Sequence, residues 1–302
     1  MAQSPLNYTG GKFKLLPQIL HHFPQDIHTF VDLFCGGGDV GTSVPSEYVL
    51  FNDINSNVTG ILHAFKALDK AETFQIIQDT IDQFCLSNTR QNGYAYYNCN
   101  SNKGLGSYNR EPYSLLKNYF NSLERRDYHY YILLYVLVIY SFNNQIRFNK
   151  QGIFNLPVGK RDFNSKMYAK LDTFIDRLQE IYCEFSSVDF RRINIEQLEE
   201  RDFVYADPPY LITCATYNEQ GGWNKELERA LYEYLNDLHV HHIRFALSNV
   251  LSSKGRVNTI LQDWLANNNQ YTCIHLDYNY SNSSYHTTDR ITGSDEVLII
   301  NY

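Results

Sequence analysis

The chain has 302 residues, 43% of them hydrophobic and 15% aromatic, with a formal charge of −7. This composition excludes the disordered class and leaves room for one large domain or a core domain carrying an insertion. A negative total gives no support to nucleic-acid binding by itself, although it can hide a local basic patch.

In chain order, Tyr8-Thr9-Gly10-Gly11-Lys12 comes first. A glycine-flanked lysine resembles a phosphate loop, but it lacks the Walker spacing and the Ser or Thr after the lysine. An apolar run from Thr29 to Phe34 then enters the cluster Cys35-Gly36-Gly37-Gly38. Tyr48 to Phe51 reads as a second strand, followed by Asn52-Asp53 and a helix-like segment from Ser56 to Leu68. Strand, glycine turn, helix, strand and acidic residue open a Rossmann-like α/β sheet. Further strands are expected at Glu184–Val188, Phe203–Ala206, Ile243–Leu247 and Glu296–Ile300. Helices are expected at Met167–Tyr182, Lys225–Leu238 and Val257–Ala266, the second marked by Leu227, Leu231, Tyr234, Leu235 and Leu238 at helical spacing.

From about Gln91 to Phe163 the alternation of strand and helix stops. Pro112 to Asn121 and His129 to Tyr140 read as helices, followed by a hairpin, Gln145–Phe148 and Ile153–Leu156, around the loop Asn149–Gly152. We expect residues 69–163 to be an inserted helical plus β-hairpin subdomain, and 1–68 with 164–302 to form the α/β catalytic domain. From Ser141 to Lys170, Arg147, Lys150, Lys160, Arg161, Lys166 and Lys170 face only Asp162, a basic patch able to hold phosphates.

No apolar run approaches the ~18 residues of a membrane-spanning helix, and the N-terminus lacks a signal-peptide pattern. A soluble, cytoplasmic protein without a membrane partner is expected. The six cysteines are scattered and form no C-x-x-C pair, so they read as free thiols rather than metal ligands. His239, His241 and His242 have no second cluster to complete a metal site and read as a turn before a strand.

The most telling stretch is Asp207-Pro208-Pro209-Tyr210, directly after the run Phe203–Ala206. The C-terminal end of a strand is where open α/β sheets bind ligands. Two prolines stiffen the turn, so that a carboxylate and a ring keep a fixed relation to a planar substrate. Upstream, Asp32 precedes the glycines, and the G-x-G-x-x-G spacing is absent. A carboxylate there suits an amino or sulfonium cation better than a pyrophosphate, while Asp53 suits ribose hydroxyls; a nicotinamide site is the competing reading.

Taken together, these segments resemble Dam-type, D12-class adenine-N6 DNA methyltransferases of the alpha group. Tyr8–Lys12 is similar to their N-terminal motif, Asp32–Gly38 to their AdoMet loop and Asn52–Asn55 to their ribose-binding motif. Asp207–Tyr210 is similar to their catalytic motif. Arg147-Phe148-Asn149, with Gly152, Phe154-Asn155 and Pro157, looks like the family's DNA-contacting hairpin. Asp202–Tyr217 with Ser248-Asn249-Val250 is most similar to the T-even phage branch.

The resemblance implies methyl transfer from S-adenosyl-L-methionine (AdoMet) to N6 of adenine in double-stranded DNA, by base flipping and without a metal. Tyr8, Lys12, Asp53 and Asp207 would contact AdoMet, together with the Gly36 loop. Phe34 and Phe190 would flank its adenine, and Asp32 would face its amino group. Asp207 and the Pro208 carbonyl, stiffened by Pro209, would accept from the target amine, and Tyr210 would stack on the base. Tyr217 is a further candidate for closing the pocket. Arg147, Asn149, Pro157 and Arg161 are the expected DNA contacts, with Arg147 and Arg161 as candidates for reading guanine and Gln145, Asn149 or Asn155 for adenine.

GATC is the expected target, although Asn155-Leu156-Pro157-Val158-Gly159 departs from the Asn-Val-Pro-Phe-Gly that many members carry. A separately acting cognate restriction endonuclease is a candidate partner. The competing readings are an N4-cytosine DNA methyltransferase and a catalytically inactive sequence-specific DNA-binding protein.

Overall fold

The computed structural model describes residues 1–7, 10–100, 102–213, 222–277 and 293–302. Its elements run, in order, α1 (Leu16–His21), β1 (Ile27–Asp32), β2 (Ser46–Asn52), α2 (Ser56–Ala67), α3 (Lys70–Gln83), α4 (Thr89–Tyr96), α5 (Arg110–Asn121) and α6 (Tyr128–Tyr140). There follow α7 (Ser165–Glu180), β3 (Cys183–Ser186), β4 (Phe203–Ala206), α8 (Lys225–Val240), β5 (Arg244–Ser253), β6 (Arg256–Val257), α9 (Thr259–Ala266), β7 (Thr272–Leu276) and β8 (Asp295–Ile300). The chain divides into two compact units.

One unit comprises Lys12–Cys35, Ser43–Ile54 and Ser187–Tyr302. Its sheet runs β2-β1-β4-β5-β8-β7, with β6 paired to β5. The first four strands are parallel, and β8 and β7 join antiparallel. Side chains alternate faces along a strand, and the sequence uses this. Val31, Val204, Ala206, Phe245 and Leu247 turn to a core shared with Leu231, Leu235 and Leu238 of α8 and Leu261 of α9. On the alternate positions Phe30, Phe203 and Tyr205 form an aromatic cluster with Phe23. All four residues of β4 are buried, as expected of a strand covered on both faces.

The other unit comprises Met1–Gly11, Gly36–Thr42 and Asn55–Ser186. At its centre lies α6, buried on nearly every side because α2, α3 and α5 all pack against it. In this apolar helix the Tyr140 hydroxyl donates to the Ser87 carbonyl at 2.6 Å, while the Tyr135 ring meets Phe65 edge-on and its buried hydroxyl has no hydrogen-bond partner among the described residues. No helix among the described residues is long and apolar enough to cross a membrane. Lys66 on α2 donates to the carbonyls of Leu178, Gln179 and Ile181 at the end of α7. That places a cation where the helix dipole is negative.

Two expectations need correction. No helix separates the glycine cluster from β2. Those residues form turns, with one helical hydrogen bond from the Thr42 N–H to the Gly38 carbonyl. The hairpin is joined by a single bridge, Phe148 to Phe154, rather than by a ladder, and side chains of α5 bond the other edge of its second strand. Asn121 accepts from the Phe154 N–H at 2.9 Å and donates to the Phe154 carbonyl at 3.0 Å. Tyr113 donates to the Leu156 carbonyl. The asparagine amide thus supplies the donor and acceptor that a neighbouring strand would.

Candidate active site and nucleic-acid interface

β1 and β4 are neighbours, but the chain leaves β1 toward β2 on one side and leaves β4 toward β5 on the other. Their carboxyl ends therefore flank the switch point of the sheet, the crevice in which open α/β sheets take ligands. Asp32 is the last residue of β1, Asp207 follows β4 and Asp53 follows β2.

Asp207 is partly buried and held from two sides. Lys12 Nζ lies 2.9 Å from Oδ2, and the Tyr210 hydroxyl donates to Oδ1 at 3.2 Å. The same ammonium sits 4.8 Å from the centroid of the Tyr210 ring, a cation–π contact that fixes the ring relative to the carboxylate. Burial raises the Asp207 carboxyl above its ordinary value, while Lys12 and the Tyr210 hydroxyl pull it back. Burial and the adjacent Asp207 charge raise the Tyr210 phenol well above its usual value, so it stays a donor. A carboxylate offers about four lone-pair sites, which leaves capacity for a further donor.

Asp32 is 1% exposed and Asp53 6%. Burial, with the charges of Asp53 and Asp32, pushes the thiol of Cys35 far up. Asn52 braces this end of the sheet. Its Nδ2 donates to the carbonyls of Leu33 and Val188, its Oδ1 accepts from the Val188 N–H and its own carbonyl accepts from Cys35 N–H. This places the Val188 turn, and with it Phe190, beside the loop after β1. Phe34 and Phe190 are in contact, with centroids 5.6 Å apart and planes at 43°. Sequence reasoning did not single out Trp223, which meets Phe34 edge-on at 5.5 Å. Acidic side chains at two strand ends beside partly exposed aromatic rings fit a ligand with a cationic group, a ribose and a purine.

The glycine loop belongs to the other unit. Gly36 has φ +48°, a left-handed turn that a side chain would strain. The hairpin lies in that unit too. Phe154 and Leu156 point inward, while Arg147, Lys150, Asn155, Pro157, Lys160 and Arg161 are exposed. Arg147 Nε donates to Asn155 Oδ1 at 3.0 Å across the hairpin. Asn149 accepts from the N–H groups of Gln151 and Ile153, so its side-chain oxygen shapes the turn. Gly159 packs where a Cβ would lie 2.3 Å from the Ser141 carbonyl, closing the base of the hairpin.

Asp162, read from sequence only as the one acid in a basic stretch, is fully buried. It accepts from the Thr89 N–H at 2.6 Å and the Thr89 hydroxyl at 2.8 Å. Burial raises its carboxyl above the ordinary value. Asn121, Tyr113 and Asp162 escaped sequence reasoning because their roles rest on partners far along the chain. His239 and His241 bond to Asn301 and to the Asp237 carbonyl, and no cluster of three metal-ligating side chains exists among the described residues. Tyr8 and Tyr217 lie outside the described residues.

Comparison with known proteins places this arrangement. Over 306 aligned residues the chain is 38% identical to the modification methylase StsI of Streptococcus sanguinis, covering 99% of this chain and 43% of that protein. Identity and coverage are the same for the type II methyltransferase M.FokI of Planomicrobium okeanokoites. The chain thus spans less than half the length of these two relatives. It is also 25% identical to the DNA adenine methylase of Escherichia coli strain K12, over 81% of this chain and 79% of that protein. The model of one family matches residues 8–282. The chain belongs to the D12 class N6 adenine-specific DNA methyltransferases.

Proposed function

We propose that this chain transfers a methyl group from AdoMet to N6 of adenine in double-stranded DNA. The observation that carries this reading is the Lys12–Asp207–Tyr210 constellation at the switch point of the sheet. Bound AdoMet supplies an electrophilic sulfonium methyl.

The chain's own residues do the rest. N6 of adenine is a poor nucleophile because its lone pair is delocalised into the ring. Asp207, kept ionised by Lys12 against its desolvation, accepts a hydrogen bond from the amine and raises electron density on nitrogen. The Pro208 carbonyl takes the second amine hydrogen. Pro209 stiffens the turn that aims both acceptors, and Tyr210 offers its ring to the flipped base. Stacking returns about 1–3 kcal/mol against an extrusion cost of a few kcal/mol. This chain's part is to hold the amine, whose surplus proton passes by way of Asp207 to solvent, while the C–S electron pair stays on the departing sulfur of AdoMet. Positioning supplies much of the acceleration.

In this reading Asp53 takes the ribose hydroxyls and Asp32 the methionine ammonium, while the aromatic cluster that contains Phe34 and Phe190 lies at the adenine. Gly36 lets the loop approach closely, and Tyr8 and Lys12 complete the cofactor contacts. Residues 69–163 act as the recognition insert. Its outward-facing Arg147 and Arg161 suit guanine edges and Asn149 an adenine edge, with Pro157 a further DNA contact. GATC is the sequence to test first, and kinship with the T-even phage branch belongs to the same proposal. A cognate restriction endonuclease acting separately is the partner this reading implies, and the cytoplasm its compartment.

Labelled-methyl transfer to duplex oligonucleotides, followed by nucleoside analysis, is expected to yield N6-methyladenine. N4-methylcytosine as the product would overturn the proposal. Mapping methylated adenines in DNA from cells expressing the chain decides the sequence context, and marks outside GATC would replace that target.

A further inference from the structure

Phe34 and Phe190 stand too close for a sandwich. A base held between two parallel rings needs about 7 Å between them, twice the ~3.5 Å contact distance, whereas these centroids lie 5.6 Å apart with tilted planes. Phe190 is also 4% exposed and belongs to the core under α8. Phe34 and Trp223 are the partly exposed members of the cluster. They meet at 86°, and Trp223 also touches Phe190 with centroids 6.0 Å apart.

The orientation of the indole is set by an unusual anchor. Glu228, in the first turn of α8, is 0% exposed. One of its oxygens accepts the Trp223 indole N–H. The other accepts from the Tyr232 hydroxyl, from Asn249 Nδ2 on β5 at 3.1 Å and from Asn258 Nδ2 at 3.0 Å. The oxygen of Asn258 caps α9 through the Leu261 N–H. An ionised carboxylate is an acceptor only, and these four donors satisfy it, which is the condition for burying it. The network thus fixes one rotamer of one partly exposed tryptophan.

We infer that Trp223, rather than Phe190, shares with Phe34 the aromatic corner that receives the adenine of the cofactor, and that Glu228 is the positioning residue that orients the indole. Phe190 is the support behind them. This inference rests on the cofactor reading given above and specifies which rings serve it.

The test uses the whole chain and S-adenosylhomocysteine as probe, with affinity from calorimetry and tryptophan emission followed in parallel. The chain has two tryptophans, and Trp264 is stacked on Tyr232, so Trp223→Phe isolates the Trp223 signal by difference. The expected result is quenching in the wild type that vanishes in Trp223→Phe and persists in Trp264→Phe. Trp223→Leu is expected to weaken binding about tenfold, while Trp223→Phe, which keeps a flat ring, holds it within about threefold.

Glu228→Gln replaces an acceptor with a donor facing four donors. It is expected to reduce both the quench and the affinity, with Glu228→Asp recovering part of each. If the wild type binds but its emission is unchanged and Trp223→Leu binds within about twofold, the inference falls while the cofactor reading stands. If the wild type does not bind the probe at all, the cofactor reading falls first. Should Trp223→Leu fail to fold, the emission difference between the wild type and Trp223→Phe decides alone, since absence of a quench overturns the assignment.

Discussion

The turn after β4 and the hairpin between Arg147 and Leu156 treat their polar groups in opposite ways. In the turn, the ammonium of Lys12, the carboxylate of Asp207 and the hydroxyl of Tyr210 satisfy one another in a largely dry setting. In the hairpin the fixed groups are those facing inward, such as the Phe154 backbone on Asn121, while the basic side chains stand in solvent. Preorganised, desolvated groups suit a chemical step, whose demands do not change. Exposed side chains on a braced backbone suit recognition, where one residue can be exchanged without disturbing the scaffold. The proposed division of labour therefore predicts mutations that separate catalysis from binding.

The largest effect is expected from Asp207→Ala. Removing the acceptor should lower methyl transfer by roughly 10²–10⁴-fold, while gel-shift affinity for duplex DNA stays within a few-fold; survival of transfer would break the proposed mechanism. Next comes pH. The carboxylate is a much stronger acceptor than the protonated carboxyl, and burial has raised the Asp207 value, so kcat/KM should climb with pH through that raised value and level off above it. Lys12 holds the value down. Lys12→Met should therefore move this acidic limb upward by ~1 unit, seen in the full pH–rate profile.

Arg147→Ala should leave turnover at saturating DNA unchanged. It should cost about 1–3 kcal/mol of discrimination between cognate and altered sites, measured by competition binding. An equal loss on every sequence would reassign Arg147 from base reading to phosphate contact.

Asp162→Ala strands the partly buried Thr89 N–H and should cost about 1–3 kcal/mol of stability, read as a lower Tm. The sign of its pH dependence is fixed. Because the folded-state value is raised, the folded protein takes up this proton before the unfolded chain does. The wild type therefore gains stability as pH falls from the folded value toward the unfolded one, and the variant should lack this increment. The smallest effect belongs to Lys150→Ala, expected to reduce affinity by a few-fold and the salt slope by about one unit.

Legibility in the sequence followed the range of the interactions. The buried run Phe203–Ala206 and the stiff turn after it could be read from adjacent residues, and the strand falls on those bounds. The amphipathic α8 was equally plain, yet its buried stripe includes the charged Glu228 while Leu227 is only partly covered. A carboxylate in a first helical turn reads as solvated until four donors are seen around it.

The helix α3 passed unnoticed because two threonines, Thr73 and Thr80, share its buried face with Ile77 and Ile81, which dilutes the apolar period. The edge strand β7 has only one fully buried residue and so little pattern to detect. The pairing of Lys12 with Asp207 joins residues far apart in the chain, and only the order of the strands brings them together.

The thiol of Cys35 bears on chemical self-protection. Thiolates, not thiols, attack electrophiles, and burial between two acids makes this thiolate costly to form. In the proposed reading, a sulfur close enough to Asp32 and Asp53 to feel their charges stays a thiol beside the cofactor. On that reading the methyl donor would be preserved for the nucleic acid rather than lost to a thiolate of the protein.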